Sequence, residues 1–166
     1  MYPFDISHPI KGKASVEINK PVDEVFRFVG EHFFDNYPKW ALEVSEFNLL
    51  TGKQVFVGAK AKQIRQDQDE KVESVFEVSE FEPPQKVTLK AVDASFRNTY
   101  RFSAKAGQDV TELEYSFEIL ELEPFMWPFE HSIRTAIEEG AEHTVENIKN
   151  LMDEELDCQR LTDRAI

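Results

Sequence analysis

Three polar side chains in the C-terminal half of the chain are the ones best placed for chemistry. Asn98 and Tyr100 are two positions apart, and Tyr115 follows in a second alternating run, so in extended chain each can share a face with large apolar neighbours. One amide and two phenols donate and accept hydrogen bonds without carrying charge at neutral pH, which suits them to recognise or polarise an uncharged group such as a carbonyl. Other chemistries find less support. Cys158 is the single cysteine and lies in a polar stretch with no histidine near it, so it makes no internal disulfide and no nucleophilic pair, and it fits a reducing compartment. His8, His32, His131 and His143 lack metal-ligand spacing; on one helix the last two would stand about 18 Å apart along the axis. There is no GxSxG elbow, P-loop or dinucleotide fingerprint. No metal, no cofactor and no catalytic residue is therefore expected.

Composition bounds the rest. At 166 residues and 41% hydrophobic, the chain fits one domain able to bury a core unaided. Fourteen Phe, four Tyr and two Trp are a heavy aromatic load, which serves either a dense core or the lining of a pocket. A formal net charge of -13 repels phosphate backbones and anionic lipid surfaces, so nucleic acid is not expected as a partner. Neither a membrane span nor a signal-like N-terminus is visible, which makes the cytoplasm the expected location of a monomer or homodimer.

The elements that would position Asn98 and the tyrosines follow from periodicity. Residues 14–19 alternate as a half-buried strand. Pro21 then opens a helix in which Val22, Val25, Phe26 and Val29 form one stripe ending at Gly30, and a second short helix carries Phe33, Phe34 and Tyr37 up to Pro38. Alternating segments at 43–50, 54–64, 72–81, 86–92, 96–105 and 110–122, each bounded by turn residues, predict six further antiparallel strands. A long helix over 129–152 closes the fold, with Ile133, Ile137, Ala141, Thr144, Ile148 and Leu151 facing inward. Residues 1–13 read as an N-terminal arm, 14–152 as the domain and 153–166 as a polar tail.

The last hairpin fixes its own register. A two-residue turn at Gly107-Gln108 sets Phe102 opposite Leu113, Tyr100 opposite Tyr115, Asn98 opposite Phe117 and Phe96 opposite Ile119 on one face. The other face then pairs Arg101 with Glu114, Thr99 with Ser116 and Arg97 with Glu118, and a slip of one residue would destroy both sets. The same logic across Asp93-Ala94 puts Val87, Leu89 and Ala91 on the ring-bearing face. Glu112, Glu114 and Glu118 are turned away from it, as a solvated charge row rather than paired acid and base.

Ser15-Val16-Glu17-Ile18-Asn19-Lys20-Pro21-Val22-Asp23-Glu24-Val25-Phe26 looks like the opening strand-Pro-helix signature of the helix-grip superfamily. That superfamily contains the START lipid-transfer domains, the birch-pollen-allergen-like proteins and the polyketide cyclases. The Trp40 region, Gly58, Val78-Ser79-Glu80-Phe81-Glu82-Pro83-Pro84 and Gly107 with Val110-Thr111 continue the resemblance, which spans Ala14 to Met152. It implies an α+β helix-grip fold, a curved seven-stranded antiparallel sheet wrapped around a long C-terminal helix with two short helices after the first strand. It also implies a deep cavity between sheet and helix, used across the superfamily for sterols, lipids, plant hormones and polyketides. Carriers, sensors, cyclases and co-chaperone modules share that fold, which by itself does not choose among them.

The candidate ligand-binding residues are Trp40, Phe76, Leu89, Asn98, Tyr100, Tyr115, Phe117, Ile137 and Gly140. Each ring serves core packing or ligand contact, whereas a buried Asn98 needs a polar partner that a ligand could supply. Gly140 either opens the pocket or allows close helix-to-sheet packing, since glycine inside a helix costs roughly 1 kcal/mol relative to alanine. The leading expectation is a carrier or sensor of a hydrophobic small molecule of lipid, polyketide or aromatic type. The alternatives are a cyclase or dehydratase using tyrosine or asparagine acid-base chemistry, and a co-chaperone-activator-like interaction module using the acidic outer face.

Overall fold

The computed structural model describes residues 9–67, 69–105 and 109–164, the side chains of residues 67 and 154–164 excepted. Seven strands form one open sheet: β1 (Ile10–Ile18), β2 (Val44–Leu49), β3 (Lys60–Asp67), β4 (Glu70–Glu82), β5 (Lys86–Ala91), β6 (Phe96–Ala104) and β7 (Thr111–Ile119). Every neighbouring pair is antiparallel, in the order β1-β7-β6-β5-β4-β3-β2, so the first strand crosses the sheet to close on the last. Two short helices, α1 (Val22–Phe26) and α2 (Phe33–Trp40), are joined by a π turn at Arg27–Glu31, and a 3-10 turn at Pro124–Phe129 leads into the long helix α3 (Glu130–Arg164). This is the α+β helix-grip architecture that the sequence predicts.

The β6–β7 register is the expected one at every position: Phe102 faces Leu113, Tyr100 faces Tyr115, Asn98 faces Phe117 and Phe96 faces Ile119. The turn at Gly107-Gln108 that was used to infer it lies outside the described residues. Across β5–β6, Val87 faces Tyr100 and Leu89 faces Asn98. On the opposite face Arg97 reaches Glu118 at 2.8 Å and Lys105 reaches Glu112 at 2.9 Å, so these acids are held by basic partners away from α3. The small residues between them are less wet than expected. Thr88 and Thr99 are buried and share a 3.3 Å hydroxyl contact, because the long charged side chains on either side cover short ones.

Several boundaries move, each for a physical reason. β1 begins at Ile10, within the expected arm, because fully buried Ile10 pairs with Ile119. α3 runs to Arg164, through the expected tail, since no glycine or proline interrupts residues 141–164. β3 starts at Lys60 instead of 54: Gly58 takes a φ of 99° and its N–H meets the Val78 carbonyl at 2.8 Å, opposite a bulge in β4. Pro38 lies inside α2 rather than ending it, because Tyr37 and Trp40 are both anchored and Ala41 N–H still reaches the Tyr37 carbonyl at 3.0 Å. The inward stripe of α3 drifts in its second half, where Val145 and Met152 are buried and Thr144 and Leu151 only partly so.

Gly12 decides how closely α3 can approach the sheet. A Cβ built there would stand 2.6 Å from Ile137 Cγ2 and 3.1 Å from the Glu138 backbone nitrogen. Neither neighbour is the free end of a flexible chain, so a side chain at position 12 must push the helix outward. Gly12→Ala is therefore expected to destabilise the fold by about 1–3 kcal/mol, the usual range for overpacking, read as a lower midpoint in thermal unfolding.

Candidate functional site

Phe33, Tyr37 and Trp40 fall at i, i+4 and i+7 along α2, which places all three rings on one side of a helix only two turns long. That side is buried against the sheet. Phe33 stacks on Tyr37 at 4.9 Å and meets Phe76 and Tyr100 edge-on at 6.2 and 5.7 Å, while Trp40 meets Tyr100 at 6.1 Å. Asn147 of α3 donates to the Trp40 carbonyl at 3.0 Å, so the end of α2 is tied to the long helix as well as to the sheet.

The stretch of α3 from Glu130 to Gly140 has no such ring filling beneath it. Ala141, Val145, Ile148 and Met152 are all essentially buried, but Ile133 and Ile137 are half-buried and Ala136 and Gly140 exposed. Under this stretch lies a cavity of about 320 Å³. Its floor is Asn98, Tyr100, Tyr115 and Phe117 from β6 and β7, its end wall Tyr37 and Trp40, and its roof the α3 face that carries Ile133, Ile137 and Gly140. A wider cleft of about 630 Å³ shares Trp40, Arg65 and Gly140 with it and reaches His143 and Asn147.

Seven of the nine residues singled out from sequence thus meet on one cavity: Trp40, Asn98, Tyr100, Tyr115, Phe117, Ile137 and Gly140. Phe76 and Leu89 do not. They line an adjoining crevice of about 20 Å³ that shares Tyr37, Arg65, Asn98 and Phe117 with the cavity, because Phe33 and Tyr37 of α2 cover Phe76, which also stacks on Phe47 at 6.0 Å. Gly140 owes nothing to close packing, since a Cβ there meets no atom within 4 Å; the tight helix-to-sheet contact belongs to Gly12. Sequence reasoning missed Tyr37, Glu43 and Arg65. Arg65 donates to Glu43 at 2.5 Å across strands β2 and β3 at the cavity wall, and the opposite charges at the ends of two adjacent strands were the available signal.

The polar groups fall into two sets. Tyr37 donates to Gln63 Oε1 at 2.9 Å and Gln63 Nε2 donates to Ser74 Oγ at 3.2 Å, a buried chain in which each link has a protein partner. On the cavity floor, Trp40 Nε1 donates to the Tyr100 hydroxyl oxygen at 3.3 Å and Asn98 Nδ2 donates to the Tyr115 hydroxyl oxygen at 3.2 Å. Burial pushes the Tyr37 phenol up to about 12, against a smaller opposing pull from Arg65. Burial likewise holds Tyr100 and Tyr115 well above the usual phenol range, with Tyr115 adding to the effect at Tyr100 and Tyr37 adding to it at Tyr115. Among the described residues no group of three or more His, Cys, Asp or Glu is placed to hold a metal ion, and no helix is long and apolar enough to cross a membrane.

The fold is shared with solved structures. A START superfamily protein from Mycobacterium smegmatis matches with a TM-score of 0.68 at 14% identity, covering 87% of this chain and 97% of that one. A polyketide-cyclase-like protein from Corynebacterium glutamicum matches with a TM-score of 0.62 at 17% identity, covering 90% and 94%. A Thalictrum norcoclaurine synthase in complex with a transition-state analogue matches with a TM-score of 0.69 at 12% identity, covering 90% and 97%. No protein with a curated description is similar enough to match. The chain thus has the helix-grip fold. Residues 9–153 match the family model described as polyketide cyclase/dehydrase and lipid transport, and the chain belongs to that family.

The raised phenol values carry a pH dependence. Below the ordinary tyrosine value near 10, folded and unfolded chains bind the same phenolic protons and the stability is fully present; above it the unfolded chain releases them while the folded one does not. Stability is therefore expected to fall as pH rises from about 10 to 12, by up to ~1.4 kcal/mol per pH unit for each of the three buried phenols. In an alkaline titration of the folded protein, phenolate absorbance from these three should be absent near pH 10 and that of Tyr37 should not appear until about pH 12.

Proposed function

We propose that the chain binds a hydrophobic small molecule of lipid, polyketide or aromatic type in the cavity beneath the first half of α3, as a carrier or sensor. What supports this function is the unfilled space of about 320 Å³ between a ring-bearing sheet face and a helix whose own inward residues are left half-buried. Sites for small molecules are mostly apolar with a few placed polar groups, at volumes of roughly 300–1,000 Å³, and this cavity has both properties. Its size sits near the lower end of that range, in keeping with a compact ligand.

A cyclase or dehydratase would need a base beside the two tyrosines. Among the described residues the one carboxylate on the cavity wall is Glu43, and Arg65 already engages it. A module acting only through its acidic outer face would have no use for an unfilled interior. Binding therefore fits the observations with the fewest additions.

Saturable, one-to-one binding of the neutral fluorescent probe N-phenyl-1-naphthylamine is the expected result, and no saturable binding would remove the proposal. Position 140 sharpens the test because a side chain there meets only open space. Gly140→Ala should stabilise the protein by up to about 1 kcal/mol through helix propensity alone. Gly140→Leu should keep the fold while weakening probe binding at least tenfold, measured by fluorescence titration beside thermal unfolding.

A further inference from the structure

Two buried phenol protons on the cavity floor have no protein acceptor among the described residues. Tyr100 and Tyr115 face each other across β6 and β7 with ring centroids 4.9 Å apart, and they are only 1% and 7% exposed. Each hydroxyl oxygen already accepts a bond, from the Trp40 indole at 3.3 Å and from the Asn98 amide at 3.2 Å. An indole N–H and an amide N–H are donors only, so both bonds occupy oxygen lone pairs and leave the phenolic protons to point elsewhere. Among the described residues, no protein acceptor takes either proton. A buried hydroxyl that cannot donate loses a bond it had in water, a loss that phenylalanine would avoid at the same volume.

We infer that the cavity takes an apolar molecule bearing a neutral carbonyl oxygen, to which the Tyr100 and Tyr115 hydroxyls both donate. This rests on the binding function proposed above and names the chemistry of its ligand. The two protons belong to adjacent side chains on one floor, so a single acceptor with two lone pairs can serve both. Neutrality follows from the surroundings. A carboxylate would bring a second negative charge into a space walled by Glu43, and the cation there, Arg65, is already engaged by that same glutamate at 2.5 Å. A hydrocarbon would leave both donors unmet. Burial keeps both phenols protonated far above neutral pH, so they remain donors under all ordinary conditions.

The test is a matched pair of probes differing only in the acceptor, 9-fluorenone and fluorene, competed against N-phenyl-1-naphthylamine on the full chain. Wild type is expected to bind the ketone about tenfold more tightly than the hydrocarbon, the worth of two modest hydrogen bonds net of desolvation. Tyr100→Phe or Tyr115→Phe should narrow that preference to about threefold, and the double variant should abolish it. Fluorene affinity should stay within about twofold of wild type throughout, which shows that the cavity survives each substitution. The infrared carbonyl band of bound fluorenone, shifted to lower frequency than in hexane, should move back stepwise with each phenol removed. Equal affinity for the two probes in wild type, an unchanged preference in the double variant, or a carbonyl band at its hydrocarbon position would overturn the assignment while leaving the cavity's function standing. Failure of all three molecules to bind would instead sink the binding function, and this inference with it.

Discussion

The bare backbone of Gly12 against α3 sets the depth at which the long helix rests on the sheet. Everything on the inner side follows from that contact. Past it, Lys149 Nζ reaches the Glu17 carbonyl at 2.6 Å and Asn147 holds the Trp40 carbonyl, so the second half of α3 is clamped to both β1 and α2. The clamped half buries Ala141, Val145, Ile148 and Met152, and each large apolar side chain so buried is worth roughly 1.5–3 kcal/mol. The other half meets the sheet through Ile137 and Glu138 over Gly12. One half of a single element thus buries a continuous apolar stripe, and the other half, resting on Gly12, roofs an unfilled space.

The contrast between the two polar sets on the inner face has the same origin. Where α2 covers the sheet, Tyr37, Gln63 and Ser74 satisfy one another at the edge of the cavity. Where α3 passes over without descending, Tyr100 and Tyr115 receive bonds from Trp40 and Asn98 but return none. A core that evolved for packing alone would not be expected to keep both hydroxyls there.

Sheet register was legible because a period of two carries its own check. Pairing Tyr100 with Tyr115 also pairs Arg97 with Glu118, and a shifted register would have opposed rings to charges. Seven of the nine candidate site residues were legible for the same reason, since strand alternation and helix periodicity say which side of an element a residue occupies. They do not say what lies above that side. Phe76 and Leu89 share the inner face of the sheet with Tyr100, yet α2 settles over Phe76, and that packing is decided by tertiary contacts remote in sequence. Gly12 was missed because a glycine in Lys11-Gly12-Lys13 breaks the apolar alternation at the place where the missing side chain lets α3 approach the strand. The Glu43–Arg65 pair joins residues 22 apart in sequence, and although their opposite charges were visible, their pairing is set by the β2–β3 alignment of Val44 with Arg65.

The less deeply buried half of α3 also bears on how such a chain can change over time. Apart from Ile137, which rests over Gly12, its chamber-lining positions Ile133, Ala136 and Gly140 are at most half-buried. Exchanges there can resize or reshape the interior one notch at a time, while the hairpin register and the clamped half keep the scaffold intact. The shape of the interior is thereby uncoupled from folding. The same architecture is accordingly found at only 12–17% identity, in the Thalictrum and Corynebacterium structures.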